Sequence, residues 1–334
     1  MAHNLTVLVT GGAGYIGSHV VRQLVRAGHT PIVFDNLSTG HAWAVLDAEL
    51  VVGDLADQDR LASVFDRWRF DAVMHFAAHI WVGESMRAPA KYYRNNVSHA
   101  LGLFALAAER GIPRIVFSST AAVYGEPAVD PIPETTPLAP INPYGASKMM
   151  SERILTDIAR AADMRVAILR YFNVAGADRE GRIGEATPDN SHLIKVACEV
   201  AHGLRPGLQI NGTDYPTPDG TCIRDYVHVE DLARAHVLAL DHLAAGGPSL
   251  RLNCGYGHGF SVREVVETVR RVTGVDFPVT YGPRRAGDPP RLVAAVERIR
   301  TVLGFAPACD DLELIVRTAW AWEQTLQRRI AAGG

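Results

Sequence analysis

A tyrosine and a lysine four residues apart are the side chains of this sequence best suited to proton transfer. Tyr144 and Lys148 stand in the segment Asn142–Met149 (NPYGASKM), just after a proline-rich stretch that predicts a surface loop. Residues four apart lie on one face of a helix, so the phenol and the ammonium are expected side by side. A free phenol has a pKa of roughly 10, and a neighbouring cation favours the phenolate and lowers that pKa. Chance matches to this spacing are frequent, so the pair indicates proton transfer only if the elements around it form a suitable fold.

A glycine-rich turn follows the first predicted strand. The apolar run 5–10 is typical of a strand buried on both faces, and Gly11, Gly14 and Gly17 lead into a predicted helix. Such glycines let the backbone turn tightly and approach a pyrophosphate, which the free N–H groups of a helix start can bind. An ordinary glycine-rich turn is the alternative. The strand before it and the helix after it favour a dinucleotide site.

A carboxylate at the end of the second predicted strand indicates which dinucleotide binds. Asp35 follows the apolar run Pro31–Phe34 and comes eighteen residues after Gly17. A carboxylate at this place binds ribose hydroxyls and repels a 2′-phosphate. The sequence therefore predicts NAD rather than NADP.

Alternating strands and helices position these side chains. The predicted strands comprise residues 5–10, 31–34, 50–53, 71–75, 114–118, 164–170 and 250–253. Strands separated by helices form right-handed crossovers and a parallel sheet, and ligands bind at the carboxyl ends of such strands. We therefore predict an α/β fold, a Rossmann-type doubly wound parallel sheet with a smaller mixed α/β substrate-binding lobe. The predicted NAD-binding domain is 1–173 with 226–254 returning to it, and the predicted lobe is 174–225 with 255–334.

Composition excludes several classes of partner. The chain has 334 residues and a formal net charge of −3, which gives no reason to expect nucleic acid or an anionic membrane surface. No apolar run approaches the ~20 residues of a membrane span. The 4 cysteines form no CxxC pair and the 13 histidines form no HExxH motif. We expect free thiols, no metal site, no signal peptide and a cytoplasmic location.

The second half of the chain offers cations for a phosphate group. Arg224, Arg284 and Arg285 lie in loop-rich sequence and could clamp a diphosphate bidentately. Taken singly, each is more often a solvated surface arginine.

The sequence resembles the extended short-chain dehydrogenase/reductase family, and within it the UDP-glucose (UDP-galactose) 4-epimerases. The resemblance covers about Leu5 to Trp322. It rests on the stretches 10–20 (TGGAGYIGSHV), 35–39 (DNLST), 75–78 (HFAA), 82–86 (VGESM), 117–126 (FSSTAAVYGE), 142–149 (NPYGASKM), 169–178 (LRYFNVAGAD), 220–232 (GTCIRDYVHVEDL) and 283–288 (PRRAGD).

The resemblance implies a role for each matching residue. Tyr144 would be general base and acid at the sugar 4-hydroxyl, Lys148 would hold the nicotinamide ribose, and Thr120 would bond the same sugar oxygen. Positions that match NAD contacts are Gly11, Gly14, Tyr15, Ile16, Gly17, Asp35, Asn36, Asp54, Leu55, Phe76, Ala77, Asn95, Tyr144, Lys148 and Phe172. Positions that match substrate contacts are Thr120, Asn173, His192, Leu193, Gln209, Asn211, Arg224, Arg285, Asp288 and Leu292.

Two residues depart from the family pattern. Ile80 stands where a lysine often lies near the cofactor phosphates. Leu292 stands at the gate beside the sugar, which is often tyrosine or a smaller residue. The first puts a phosphate contact in doubt and the second puts the choice of sugar in doubt.

The implied reaction inverts C4 of a UDP-sugar. Hydride passes transiently to a tightly bound NAD, a 4-keto sugar forms and turns over within the site, and the hydride returns to the opposite face. UDP-glucose and UDP-galactose are the expected substrates, with a role in galactose metabolism. A UDP-pentose (xylose or arabinose) or a UDP-N-acetylhexosamine remains the alternative.

Other members of the same fold perform other reactions. Nucleotide-sugar dehydratases and decarboxylases carry an acid just after the Ser/Thr position, whereas this chain has Ala121 and Ala122. An alanine cannot protonate a leaving hydroxyl, so elimination lacks its acid. A non-catalytic NAD-binding sensor is a further alternative, but such proteins usually lack the tyrosine–lysine pair.

Two helices carry apolar residues on more than one face. They are predicted at about 89–110 and 145–161, and their apolar residues include Leu101, Phe104, Leu106, Met149, Ile154 and Ile158. In the family that this chain resembles, the equivalent helices pair across a two-fold axis as a four-helix bundle. The resemblance therefore implies a homodimer with an isologous interface.

Overall fold

The computed structural model describes residues 4–188, 190–285 and 288–332. Its strands are β1 (Thr6–Thr10), β2 (Thr30–Asp35), β3 (Glu49–Val52), β4 (Ala72–His75), β5 (Arg114–Thr120), β6 (Arg165–Tyr171), β7 (Asn173–Ala175), β8 (Leu208–Asn211), β9 (Ile223–Arg224), β10 (Tyr226–His228), β11 (Leu250–Cys254), β12 (Phe260–Ser261), β13 (Val279–Gly282) and β14 (Arg291–Leu292). Its α-helices are α1 (Tyr15–Arg26), α2 (Gln58–Arg67), α3 (Val82–Arg87), α4 (Pro89–Tyr93), α5 (Ala100–Glu109), α6 (Pro143–Ala161), α7 (Leu193–Ala201), α8 (Val229–Ala244), α9 (Val262–Thr273), α10 (Glu297–Leu303) and α11 (Leu312–Ala331).

A parallel sheet of seven strands lies at the centre, in the order β3-β2-β1-β4-β5-β6-β11. The chain builds outward from β1 in one direction and from β4 in the other. The strand order therefore reverses between β1 and β4, and a crevice is expected outside their carboxyl ends.

Successive residues of β1 enter two different cores. Val7 and Val9 belong to a core that includes residues of α1 and α8, whereas Leu8 belongs to a core that includes residues of α2, α5 and α6. This alternation follows the two-residue period of a strand, and each such buried side chain contributes about 1.5–3 kcal/mol. Helices cover both faces of the sheet, so the predicted doubly wound α/β fold is confirmed.

The long helix predicted from Pro89 to Arg110 is not regular. A π-helical segment, Arg94–His99, separates α4 from α5. The Asn96 carbonyl accepts a hydrogen bond of 2.6 Å from the Ser151 hydroxyl of α6. An outside donor at this carbonyl disturbs the helical ladder, as is common where π segments form.

The smaller lobe is assembled from short strands and helices, with α7, α9 and α11 packed together. β8 pairs with β13, and β9 lies between β12 and β14. α7 packs against α9 and α11. β7 and β10 form a separate parallel pair at the exit of the central sheet.

No helix in the described part of the chain is long and apolar enough to cross a membrane.

Candidate active site

A cavity of about 1390 Å³ runs from the glycine turn to the smaller lobe. Its walls include every predicted site residue except Lys148: Gly11, Gly14, Tyr15, Ile16, Gly17, Asp35, Asn36, Asp54, Leu55, Phe76, Ala77, Asn95, Thr120, Tyr144, Phe172, Asn173, His192, Leu193, Gln209, Asn211, Arg224, Arg285, Asp288 and Leu292. The structure therefore brings the two predicted ligand regions into one continuous space. The roles of the individual residues stay predictions.

The glycine turn fits a pyrophosphate because side chains cannot occupy it. Gly11 has φ +74°, and a Cβ there would lie 2.5 Å from the Ala77 nitrogen. A Cβ at Gly17 would lie 2.1 Å from the Gly11 carbonyl oxygen. α1 begins at Tyr15, so the free N–H groups of its first turn lie beside the cavity. A bare turn that leads into a helix N-terminus suits the phosphates of a dinucleotide.

Two carboxylates stand beside this turn. Asp35 accepts hydrogen bonds from the Ala13 nitrogen at 3.0 Å and the Leu37 nitrogen at 2.8 Å. Burial raises the pKa of Asp35, and these two N–H groups oppose that effect. Asp54 accepts from Asn36 at 2.7 Å, and the Ala56 N–H chiefly lowers the pKa of Asp54. Both groups suit the hydroxyl and amine donors of an adenosine.

Tyr144 and Thr120 come together at the middle of the cavity. β5 ends at Thr120, and α6 places Tyr144 in its first turn, which Asn142 caps by accepting from the Gly145 nitrogen at 2.8 Å. Burial raises the pKa of the Tyr144 phenol, the nearby Tyr171 raises it further, and the Thr120 hydroxyl opposes both. The lowering that Lys148 is predicted to exert must therefore overcome a cost of burial.

Lys148 lies behind the cavity wall rather than in it. Its side chain is 2% exposed, and its Nζ donates to the Ser118 carbonyl oxygen at 2.9 Å. Burial lowers the pKa of Lys148 to about 7, and the carboxylate of Glu152 opposes that effect. The ammonium is thus close to its titration point and depends on its neighbours for its charge.

Three residues near this centre were missed by sequence reasoning. Tyr171 shares a hydrogen bond of 2.8 Å with the Ser118 hydroxyl, and Glu152 pairs with Arg170 in the interior. Two signals could have found the pair. Glu152 continues the four-residue spacing of Tyr144 and Lys148, and Arg170 is a charge inside an otherwise apolar strand.

The smaller lobe supplies polar side chains at the far end of the cavity. His192 precedes α7 and lies 3.1 Å from the Glu185 carboxylate. Arg224 pairs with Asp288. The Arg285 guanidinium reaches the Asn211 amide oxygen at 3.0 and 3.1 Å when that amide is oriented to satisfy both groups. These groups suit a nucleoside diphosphate.

Arg284 does not belong with the other two arginines. Its guanidinium bonds Asp214 at 2.7 Å and lies over the Tyr215 ring at 4.3 Å. Arg284 is absent from the cavity lining, and its pairing with Asp214 favours the alternative of a surface arginine. Ala286 and Gly287 of the same predicted stretch lie outside the described residues.

The two positions next to Thr120 carry no acid. Ala121 and Ala122 begin a 3₁₀ turn, and Thr120 Oγ1 accepts from the Ala122 nitrogen at 3.1 Å.

The two residues that depart from the family pattern, Ile80 and Leu292, both line the cavity, and Ile80 is 36% exposed.

One group of possible metal ligands exists among the described residues: His228, Glu230 and Cys309. The His228 ring accepts from the Glu230 nitrogen at 3.1 Å, and its other nitrogen lies 3.1 Å from the Thr318 hydroxyl. Glu230 also pairs with Arg179 at 2.6 Å. Both ring nitrogens of His228 are therefore engaged and Glu230 is paired with an arginine, so we assign no ion to this group.

The chain is similar to known proteins over nearly its whole length. Residues 7–255 match the model of the NAD dependent epimerase/dehydratase family. The UDP-glucose 4-epimerase of Azospirillum brasilense is 56% identical over 329 residues, 98% of this chain and 94% of that protein. The crystal structure of UDP-glucose 4-epimerase from Brucella ovis in complex with NAD is 48% identical, with a TM-score of 0.93 over 95% of this chain and 98% of that one. The UDP-Glc/GlcNAc 4-epimerase of Campylobacter jejuni is also 48% identical, with a TM-score of 0.86 over 96% of this chain and 100% of that one.

Proposed function

The chain belongs to the NAD dependent epimerase/dehydratase family, and on that premise we propose that it interconverts UDP-glucose and UDP-galactose. NAD is the cofactor, and the enzyme is an isomerase of nucleotide sugars. The observation that carries the proposal is the position of Tyr144 and Thr120. They lie where one cavity joins the glycine turn to the polar groups of the smaller lobe.

The residues of the chain divide the work of the reaction. The first turn of α1 binds the cofactor pyrophosphate, and Asp35 binds a ribose. When bound, NAD⁺ accepts a hydride from C4 of the sugar and returns it. Tyr144 removes the proton of the 4-hydroxyl and later restores it, while Thr120 holds the same oxygen. Lys148 supports the phenolate by its charge.

Inversion requires that the sugar turn over while its nucleotide stays bound. Arg224, Arg285 and the start of α7 line the same cavity as Tyr144 and provide donors for the diphosphate. Holding one end of the substrate makes return of the proton and hydride an event within one complex. The absence of an acid at Ala121 and Ala122 supports epimerisation over elimination.

Purified enzyme tests the proposal directly. It is incubated separately with UDP-galactose, UDP-xylose and UDP-N-acetylglucosamine, without added cofactor, and the products are separated. We expect UDP-galactose to be converted fastest, to UDP-glucose. Failure to convert any of the three, or release of a dehydrated sugar, would refute the proposal.

The division into domains follows from the same assignment. We place the cofactor in residues 1–173 with 226–254, and the UDP-sugar in 174–225 with 255–334. Limited proteolysis with and without UDP tests this division, because UDP should protect only the second set.

The four free, buried cysteines support a reducing, cytoplasmic location, and the reaction suits galactose metabolism.

We further propose a homodimer built on α5 and α6. Leu101 is 43% exposed and Met150 is 40% exposed, whereas Phe104 is buried within the subunit against the central sheet. Partly buried apolar residues flank them, including Leu106, Met149, Ile154 and Ile158. Light scattering at micromolar concentration should give twice the chain mass, and Leu101→Glu with Met150→Glu should give a monomer. A monomeric parent protein would contradict the proposal.

A further inference from the structure

A buried ion pair lies directly behind the proposed proton-transfer residues. Glu152 and Arg170 are each 3% exposed. Arg170 Nε donates to the two carboxylate oxygens at 3.0 and 3.2 Å, and Nη2 donates at 2.6 Å. Removing two charges from water is costly, and apolar residues of similar volume often stabilise a core equally well. Stability alone therefore does not explain the pair.

The Glu152 carboxylate lies on the helix face of Tyr144 and Lys148 and also bonds to β5. α6 presents Tyr144, Lys148 and Glu152 at successive four-residue steps, so the three side chains share one helix face. Glu152 also accepts a hydrogen bond of 2.5 Å from the Ser119 hydroxyl of β5.

Ser119 connects the carboxylate to the end of β5. Its neighbour Ser118 offers the carbonyl that holds the Lys148 ammonium, and its other neighbour is Thr120. Glu152 thus holds the end of β5, which carries both the Ser118 carbonyl that bonds Lys148 and Thr120.

The arginine is held in place from its far side. Arg170 Nη1 donates to the Tyr124 hydroxyl at 3.0 Å, and Tyr124 donates to Asn253 Oδ1 at 2.7 Å. Asn253 Nδ2 donates to the Ile132 carbonyl at 2.7 Å. The positive charge is therefore fixed in position on β6.

The other groups around Lys148 and Tyr144 are neutral at physiological pH. Burial lowers the pKa of His75, on β4, to about 3, so its ring is uncharged. Burial raises the pKa of Tyr171 to about 12 and also raises that of Tyr92. The Phe117 ring lies 4.9 Å from the Lys148 ammonium. Within the described residues, Glu152 is the ionised group that acts on Lys148.

We propose that Glu152, held by Arg170, is a positioning residue that keeps the Lys148 ammonium charged beside Tyr144 and so sets the pH range of catalysis. The inference rests on the proposed epimerase function. On this proposal Tyr144 and Lys148, four residues apart on one helix face, titrate as a pair, so a change in nearby charge displaces both ionisations in the same direction.

Two substitutions should move the pH profile of kcat in opposite directions. Glu152→Gln removes a negative charge, eases loss of both protons and should move the profile to lower pH by about half a unit or more. Arg170→Gln leaves the carboxylate uncompensated and should move the profile to higher pH. A purely structural role would lower kcat without opposite displacements. The double variant should return the profile toward that of the parent enzyme.

Asp157→Asn is the matched control, because Asp157 lies further along α6 and pairs with Arg153 at the surface at 2.6 Å. It should leave the profile unchanged. Each variant is first shown to be folded and NAD-loaded. If Arg170→Gln does not fold, Glu152→Gln alone decides the matter, and an unmoved profile overturns the proposal.

A second measurement separates this inference from the proposed function. Ultraviolet difference titration of the NAD-loaded enzyme against Tyr144→Phe reports the Tyr144 phenolate without turnover. Displacement of that titration by Glu152→Gln supports the inference even if no UDP-sugar is epimerised. An active parent enzyme whose Tyr144 titration is unmoved overturns the inference and leaves the proposed function standing.

Discussion

The two halves of the cavity bind by different means. The cofactor half, built on β1–β6 and α1, presents backbone to the phosphates: a turn in which a Cβ at Gly11 or Gly17 would clash, and the N–H groups of a helix start. The smaller lobe presents side chains on strands of two to four residues and on the loops between them, among them His192, Gln209, Arg224 and Arg285.

Because of this difference, substitutions can change the ligand more readily in one half than in the other. Backbone contacts are the same for every sequence that can form the turn, so the phosphate site of the cofactor half has few ways to change, whereas its choice of dinucleotide rests on the Asp35 side chain. Side-chain contacts change with each substitution, so the lobe can adjust its choice of sugar while the cofactor stays bound. Tyr144 and Thr120 line the same cavity, at the border that we propose between the two halves.

The largest effect is expected at that border. Tyr144→Phe removes only a hydroxyl, so both halves should still bind, but kcat should fall ~10²–10⁴-fold because general acid–base catalysis is lost. Bound NAD and the Kd for UDP should stay close to the parental values. Turnover near the parental rate would show that another group carries the proton.

A substitution in the glycine turn should damage the cofactor half alone. In Gly17→Ala the new Cβ would meet the Gly11 carbonyl oxygen at 2.1 Å. Overpacking costs ~1–3 kcal/mol, so NAD affinity should fall by up to about a hundredfold. The cofactor retained after purification measures the loss. Gly83→Ala is the control, since a Cβ there has no heavy atom within 4 Å.

Substitution of Leu292, the predicted gate in the lobe, should change the choice of sugar without loss of cofactor. Leu292 lines the cavity and offers no hydrogen bond to an acetamide, so UDP-glucose and UDP-galactose should be the better substrates. Leu292→Tyr should suppress turnover of the N-acetyl pair and Leu292→Ser should raise it, each by about tenfold, as expected for a steric pocket. Unchanged ratios of kcat/KM in both variants would show that Leu292 is not the gate.

The smallest effect is a pH dependence of substrate affinity. Burial lowers the pKa of His192, but the Glu185 carboxylate outweighs that effect and raises it overall. Below that pKa the imidazolium attracts the diphosphate, and above it the attraction is lost, so KM should rise with pH by roughly 2–5-fold. The KM of His192→Gln should be flat over the same range. An equally steep rise in that variant would assign the effect elsewhere.

The cofactor half was well predicted from sequence because its elements are long and periodic. The strands are apolar runs, the glycines and Asp35 lie at strand ends, and Tyr144 lies in the first turn of the long helix α6. The π-helical segment Arg94–His99 was missed because the contact made there by the Ser151 hydroxyl comes from a residue distant along the chain. α3 was also missed, since six residues give too little periodicity.

The lobe was predicted less well for the same physical reason. β9, β12 and β14 have two residues each, which is too short for any alternation. Arg284 and Arg285 are adjacent and chemically alike, yet only Arg285 lines the cavity, and their separation depends on where Asp214 lies. The pairing of Glu152 with Arg170 joins a helix to a strand and becomes visible only when both are in place.

The order of the central sheet has a consequence for biosynthesis. β11 completes the edge beside β6, yet the ribosome adds it 83 residues after the end of β6, at Cys254 rather than Tyr171. At ~5–20 residues per second, that interval lasts roughly 4–17 s. During this interval β11 and α8 do not yet cover the apolar faces of β6 and α1. The nascent chain should therefore bind holdase chaperones most strongly when residues 171–254 are emerging.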